Sequence, residues 1–278
     1  MVTLDLEKLT GPVGVVRMLA VLLSGICFGL AVSAVHSGDP YWVWCVFTSG
    51  FCCFTTLLIL VLELTELSDK MPDSSWEKFT TAFAMLATLM ELATSVIYPT
   101  FFAQAGLPQP IAATVLGKLT STTTNAAEVG LTLMESDDKN DFLTVPGLLK
   151  ILEAFVACII FISLDSAHYL RYDGLKWCLA VYTFCFIFSL LIIVFTICCE
   201  LPFSNVLTGY NVLAVLMYMT AAVVWPLYAF QNNPRPKPCD PFDPKDPCSW
   251  DRLVVVSFMT CANLVFYIVD TVYSVRET

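Results

Sequence analysis

Apolar blocks of about 20 residues recur along the whole chain of 278 residues. A helix of that length spans the hydrocarbon core of a bilayer, and it satisfies its own backbone hydrogen bonds there. Hydrophobic residues make up 57% of the sequence and charged residues 14%, whereas soluble domains contain roughly 45–50% and about 25%. The blocks lack the strict alternation of a transmembrane β-barrel. The sequence therefore predicts an all-α, polytopic membrane protein.

Eight such blocks can be counted. The fourth is the most polar, because it contains "GKLTSTTTNAAE", and the fifth is short before Asp165. The acidic N-terminus lacks the basic start and the cleavage site of a secretory signal, so residues 1–11 are expected to form a short cytosolic segment. We predict transmembrane helices at about 13–35, 43–65, 80–103, 111–134, 147–164, 176–198, 208–230 and 252–274.

The two halves of the sequence repeat each other. Because each half contains an even number of helices, both copies enter the membrane from the same side, which makes the repeat parallel rather than inverted. The repeat predicts one four-helix domain at 12–135, a cytosolic linker at 136–145 and a second four-helix domain at 146–278. Matching positions include Gly14 with Gly147, Arg17 with Lys150, Trp44-Cys45 with Trp177-Cys178, and Glu128 with Asp270.

The stretch "GLLKILEAFVACIIF", residues 147–161, carries two charges into the fifth block. Lys150 lies about one turn inside a helix that is expected to begin near Pro146. At that depth a lysine side chain can reach the lipid headgroups. Glu153 follows three residues later on the same helical face and can pair with Lys150. We interpret the two residues as an interfacial anchor with its counter-ion rather than as a substrate site.

Glu91 lies near the middle of the third block, where an ionised group costs several kcal/mol unless it is paired or hydrated. Lys118 in the next block is shallower by about 8 Å of helix rise, a gap that two flexible side chains can close. We predict a Glu91–Lys118 pair inside the first bundle. Intramembrane acids also occur along ion paths, so a small-ion or solute channel or transporter using Glu91, Glu128 and Asp270 is the alternative function. The sequence lacks the matched broken helices and the glycine-rich filter of such proteins.

Small residues recur every four positions in the first block, at Gly25, Gly29 and Ser33. Such a face lets a second helix approach closely within a membrane. We predict that it packs against another helix. The spacing leaves open whether that helix belongs to the same chain or to a second copy in a homo-oligomer.

Two cysteines, Cys239 and Cys248, lie in a proline-rich polar loop between the last two blocks. Lysine and arginine are divided almost equally between the two sides of the membrane, so the positive-inside rule does not decide the orientation. A Cys239–Cys248 disulfide would need an oxidising compartment, which would place this loop outside and both termini in the cytosol. The alternative is a metal site, but His36 and His168 lie in other loops.

With that orientation, Cys198 and Cys199 come at the cytosolic end of the sixth block. Cysteines beside a membrane span are candidates for palmitoylation. Cysteine is also a common packing residue inside helices, and the sequence does not separate the two interpretations.

Catalytic and nucleic-acid functions find little support in the sequence. No histidine lies in an apolar block, and neither a paired-aspartate motif nor a serine nucleophile elbow is present. The formal net charge of -10 argues against a nucleic-acid partner. We therefore expect a protein that is not an enzyme and that holds no metal or cofactor.

The chain contains the ordered motifs "VPGLLKILEAFVACIIF", "WCLAVYTFCFI", "IYPT", "IAAT", "WPLYAF" and "CSWDR". These motifs resemble those of the myeloid-associated differentiation marker family, whose members carry two tandem MARVEL domains of four helices each. The resemblance implies a non-enzymatic protein of the plasma membrane and its vesicles. It also implies association with cholesterol-rich microdomains, membrane apposition and cortical or junctional organisation, with lipids and other membrane or cortical proteins as partners.

Overall fold

A computed structural model describes residues 10–33, 40–68, 72–102, 110–135, 144–164, 172–198, 204–231 and 249–277. In these ranges the chain forms eight α-helices and no strand, which confirms the predicted all-α class. The helices are α1 (Pro12–Ser33), α2 (Pro40–Leu64), α3 (Asp73–Phe102), α4 (Pro110–Glu135), α5 (Val145–Ser163), α6 (Asp173–Cys198), α7 (Ser204–Phe230) and α8 (Ser249–Glu277).

The chain divides into two compact units, Met1–Leu143 and Thr144–Thr278. Helices α1 to α4 form the first unit and helices α5 to α8 the second. Within each unit every helix packs against the next one in the sequence, and the first helix also packs against the fourth. Each unit is therefore a closed ring of four helices, the architecture of a four-helix bundle.

Several helices extend beyond the apolar blocks that predicted them. Helix α3 begins at Asp73 rather than near residue 80, and α8 runs from Ser249 to Glu277. The additional turns are polar, and hydropathy marks only the part of a helix that is apolar. Helix α5 begins at a capped turn in which the Thr144 hydroxyl accepts a hydrogen bond from the Gly147 amide at 3.4 Å, and Pro146 occupies its first turn.

On α8 the buried residues follow one another at alternating intervals of three and four, and on α1 at intervals of three or four. This spacing is typical of helices that wrap around one another with a left-handed twist. In the second unit it brings large aromatic side chains into the core, whereas much of the first core consists of small residues. On α8 the buried residues are Leu253, Val256, Thr260, Asn263, Tyr267, Asp270 and Ser274; on α1 they are Gly14, Arg17, Ala20, Ser24, Cys27 and Ala31.

Seven of the eight helices in the described residues are long and apolar enough to cross a membrane. The exception is α4, whose threonines and asparagine lower its hydropathy, in line with the weak fourth block of the sequence. Large apolar side chains cover the outside of both units. Among the most exposed are Leu22, Phe54, Val96, Val206, Val223 and Phe258, each at least 60% accessible.

Candidate functional site

In the first unit, a buried arginine joins three helices. Arg17 on α1 is only 5% exposed. Its Nε atom donates to Glu128 Oε1 on α4 at 2.6 Å, and its Nη1 atom donates to Glu63 Oε1 on α2. The indole of Trp76 on α3 donates to the same Glu63 oxygen at 3.1 Å. All four helices of the unit therefore meet at this charge cluster.

A buried lysine takes the same place in the second unit. Lys150 Nζ on α5 lies 2.9 Å from Glu153 Oε2, one turn further along the same helix. It also lies 2.6 Å from Asp270 Oδ2 on α8 and donates to Asn211 Oδ1 on α7 at 2.7 Å. Asn211 Nδ2 in turn donates to Asp270 Oδ2 at 2.8 Å.

Two aromatic rings complete the surroundings of Lys150. Its Nζ atom lies 5.2 Å from the centre of the Tyr210 ring and 5.3 Å from that of Tyr267, within the range of a cation–π contact. The side chain is 4% exposed and is directed into the bundle. The interfacial role expected for Lys150 is therefore wrong, because its amino group has five partners inside the protein, three polar side chains and two aromatic rings.

We call Arg17 with Glu63 and Glu128 the first cluster, and Lys150 with Glu153 and Asp270 the second cluster. The two clusters occupy equivalent positions in the repeat. Arg17 aligns with Lys150, and Glu128 aligns with Asp270. In each unit the structure joins the base of the first helix to the acid of the fourth. Each cluster also has a second acid, which comes from the second helix in the first unit (Glu63) and from the first helix in the second unit.

The seam between α1 and α4 continues beyond the charges. The hydroxyls of Ser24 and Ser121 lie 3.1 Å apart and are both buried. Further along, a Cβ atom added to Gly117 would lie 2.8 Å from Cys27 Sγ, which is closer than real Cβ contacts. A larger residue at this position would therefore force the Cys27 side chain or the two antiparallel helices to shift.

Buried polar side chains extend the second cluster along α8. Ser189 on α6 lies 3.4 Å from Glu153 Oε2 and 2.9 Å from the Tyr267 hydroxyl. Asn263 donates to the Tyr218 hydroxyl at 2.8 Å. On α8 the buried residues with a polar group follow at intervals of three and four: Thr260, Asn263, Tyr267, Asp270 and Ser274. This spacing is visible in the sequence, although the predictions above did not include it.

Glu91, the other predicted intramembrane acid, is fully buried on α3. It accepts a hydrogen bond from the Thr94 hydroxyl at 3.3 Å. The side chain of Lys118 lies outside the described part of the chain, so the Glu91–Lys118 pair stays a prediction. The Lys150–Glu153 contact, in contrast, lies within the second cluster.

The three small residues predicted for helix packing differ in their surroundings. A Cβ atom added to Gly25 would lie 3.5 Å from Cys53 Sγ on α2, whereas one added to Gly29 would meet nothing within 4 Å. Ser33 is exposed, and its hydroxyl donates to the Leu30 carbonyl of its own helix at 2.8 Å. The buried stripe of α1 runs through neighbouring positions instead, from Arg17 to Ala31.

The cysteine predictions fall mostly outside the described residues. Cys198 is exposed at the end of α6, but Cys199, Cys239 and Cys248 lie in segments that the structure does not describe. The disulfide and the palmitoylation therefore stay predictions. In the described part of the chain, no group of three His, Cys, Asp or Glu side chains is arranged to hold a metal ion.

Comparison with known proteins gives the same architecture. The model of the MARVEL membrane-associating domain matches residues 8–130 and again residues 141–273. The chain is 38% identical over 290 residues to the myeloid-associated differentiation marker homolog of Xenopus laevis, with 97% of this chain and 94% of that protein covered.

Two rat proteins are similarly close. The chain is 37% identical over 292 residues to the myeloid-associated differentiation marker of Rattus norvegicus, with 97% of this chain and 91% of that protein covered. It is 37% identical over 294 residues to myeloid-associated differentiation marker-like protein 2 of the same species, with 98% and 94% covered. No solved structure matches the chain. The chain therefore belongs to the myeloid-associated differentiation marker family of membrane proteins with two tandem MARVEL domains.

Proposed function

We propose that this protein is a non-enzymatic organiser of the plasma membrane and its vesicles. It associates with cholesterol-rich microdomains and contributes to membrane apposition and to cortical or junctional organisation. Both termini lie in the cytosol, where they and the short loops recruit cortical proteins. The two bundles act laterally, because their outer surfaces select lipids and the helices of partner proteins.

One observation supports this proposal above the others. Each unit directs its buried charges inward, onto partners within the same bundle, and presents large apolar side chains outward. Arg17 and Lys150 each bind acids of their own unit, while Leu22, Phe54 and Phe258 are more than 60% exposed. A protein that works through contact with lipid and neighbouring helices needs such a surface.

The alternative of a small-ion or solute conduit fits the clusters less well. An ion path requires groups that bind a passing ion and release it. Glu128 and Asp270 are instead each held by a base at 2.6 Å. Such contacts fix helices to one another, so we assign both acids to the stability of the bundles.

Phase-separated vesicles shed from the plasma membrane test the proposal. The tagged protein should enter the ordered phase, and it should leave that phase when cholesterol is extracted. The variant Asp173→Asn is a matched control, because Asp173 is exposed at the start of α6 and its loss should not change the distribution.

A parallel flux measurement in liposomes separates the two functions. The organiser should give no ion flux above that of protein-free liposomes. The conduit would replace the organiser if cholesterol extraction left the distribution of the protein between the two phases unchanged and Glu91→Gln abolished a measurable flux.

A further inference from the structure

The charges of the second cluster do not balance. Lys150 supplies one positive charge, whereas Glu153 and Asp270 supply up to two negative charges. Both acidic side chains have 0% exposure. An uncompensated charge buried in a membrane protein costs several kcal/mol, so the cluster needs one further positive charge or must lose a negative one.

Two carboxylate oxygens in this cluster indicate where the imbalance lies. Glu153 Oε1 and Asp270 Oδ1 are buried, and neither has a hydrogen-bond partner among the residues that the structure describes. A charged carboxylate usually accepts hydrogen bonds at both oxygens. A neutral carboxyl group loses far less when one of its oxygens has no partner.

Asp270 is the better stabilised anion of the two. Its Oδ2 atom lies 2.6 Å from Lys150 Nζ and accepts a second hydrogen bond from Asn211 Nδ2 at 2.8 Å. Glu153 Oε2 has a longer contact of 2.9 Å with Lys150. Its second donor, Ser189 at 3.4 Å, lies closer to the Tyr267 hydroxyl, at 2.9 Å.

The other groups around Glu153 do not supply a positive charge. Its own helix contributes Lys150, already shared with Asp270, and α8 contributes the backbone contact of Asn263 with the Glu153 carbonyl. The neighbouring titratable and polar side chains on the other helices are Cys185 and Ser189 on α6, Tyr210, Asn211 and Tyr218 on α7, and Tyr267 and Asp270 on α8.

We propose that the second cluster is a proton-binding site and that Glu153 holds the proton at neutral pH. A hydronium ion transfers one proton to a carboxylate oxygen of Glu153: one O–H bond of the hydronium breaks, the carboxyl O–H bond forms, and a water molecule is released. The cluster is then neutral, with Lys150 and Asp270 as its ion pair. A proton suits this buried site better than a larger cation, because a proton needs no cavity of its own.

The first cluster provides an internal contrast. It also contains one base and two acids, Arg17 with Glu63 and Glu128. The side chain of Glu63, however, is 17% exposed, and its Oε1 atom accepts hydrogen bonds from both Arg17 and Trp76. The proposal therefore assigns a bound proton to the second cluster and not to the first.

Infrared spectroscopy of the full-length protein in lipid nanodiscs tests this directly, because a protonated carboxyl group has its own C=O stretching band, which shifts in D₂O. Wild type minus Glu153→Gln should show the loss of one such band at neutral pH. Difference spectra are used because Glu91 is also fully buried, and a protonated Glu91 would contribute a band of its own to every spectrum. Wild type minus Glu63→Gln should show no such loss.

Two results would overturn the proposal. The first is a wild-type spectrum without any protonated carboxyl band, which needs no variant to fold. The second is a band that Glu153→Gln leaves unchanged and Asp270→Asn removes, because the proton would then be on the other acid. Lys150→Met serves as a further readout. Without the base, Asp270 should also take a proton, so the spectrum of this variant should contain a second protonated-carboxyl band in addition to that of Glu153.

The proton also couples folding to pH, with a definite sign. The folded chain holds a proton on Glu153, whereas the water-exposed carboxyl group of the unfolded chain releases it at neutral pH. Unfolding then releases a proton, so the stability of wild type should fall as the pH rises. Glu153→Gln should flatten this dependence, and an equally steep dependence in that variant would contradict the proposal.

Discussion

Lys150→Met is the most informative single perturbation of the second unit. Methionine keeps the length and apolar character of the lysine stem but removes the cation on which Glu153 and Asp270 converge. Removing one partner of a buried ion pair typically costs about 3–5 kcal/mol, because Asp270 must then either stay buried as an unpaired charge or take up a proton at neutral pH. The ring contacts of Nζ with Tyr210 and Tyr267 add about 0.5–2 kcal/mol.

The double variant Lys150→Met/Asp270→Asn separates the charge from the packing. If Glu153 is neutral, this variant leaves only neutral groups in the cluster. Most of the loss should then be recovered, with a remainder of about 0.5–2 kcal/mol for the lost ring contacts. The double-mutant cycle should therefore give a coupling energy of several kcal/mol.

An exposed pair with the same sequence spacing provides the control. Lys176 Nζ lies 2.8 Å from Asp173 Oδ1, three residues apart on α6, but the two side chains are 51% and 96% exposed. Lys176→Met should have little effect, because water screens such pairs. The free energy of unfolding is measured in bicelles by SDS titration, followed through tryptophan fluorescence. Equal losses in Lys150→Met and Lys176→Met, or a double variant no more stable than Lys150→Met, would refute the reasoning.

Three further predictions concern single contacts or bonds. Gly117→Ala should destabilise the first unit by about 1–3 kcal/mol, as overpacking does, because the new Cβ atom would lie 2.8 Å from Cys27 Sγ; adding Cys27→Ala should restore stability in the same SDS titration. Cys239 and Cys248 should react with a membrane-impermeant maleimide on intact cells only after reduction, and labelling without reductant would exclude the disulfide. Cys199→Ser should lower the hydroxylamine-sensitive acyl label; an unchanged label would exclude palmitoylation there.

The fold was accessible from the sequence because its determinants are local or repeated. Block length and hydropathy fix a helix that crosses a membrane, and the parallel repeat fixes two units of four. Helix ends were less accessible, as at Asp73, since polar turns that continue a helix carry no hydropathy signal. The fourth block was weak in the sequence because of its threonines and asparagine, and among the helices that the structure describes α4 is the one that is not a candidate span.

The candidate site was accessible only in parts. The repeat aligned Arg17 with Lys150 and Glu128 with Asp270, but it did not show that the members of each unit touch. That information depends on which helices are neighbours in the ring, and it is absent from spacing along a single helix. The same limitation led to the expectation that Lys150 reaches the headgroups, because its depth in α5 was known and the acid on α8 opposite it was not.

In both clusters a buried base joins the first helix of a unit to the fourth, but the base is arginine in the first cluster and lysine in the second. This difference predicts that the bases cannot be exchanged. Arg17 uses separate nitrogen atoms for separate helices, with Nε on Glu128 and Nη1 on Glu63. A lysine at this position has its three donors on one nitrogen atom, which cannot occupy both the Nε and the Nη1 positions of the arginine. Arg17→Lys should therefore lose one charge-assisted hydrogen bond, at a cost of about 1.5–3 kcal/mol.

The reverse exchange should fail for the opposite reason. Lys150 Nζ is a compact charge with acceptors on three helices at 2.6–2.9 Å, and the rings of Tyr210 and Tyr267 close around it. A planar guanidinium group is larger and would displace one of these partners. Lys150→Arg should thus also destabilise its unit in the SDS titration. If both exchanges left stability unchanged, the clusters would act as simple pairs of opposite charge, and the geometry described for each would have no energetic role.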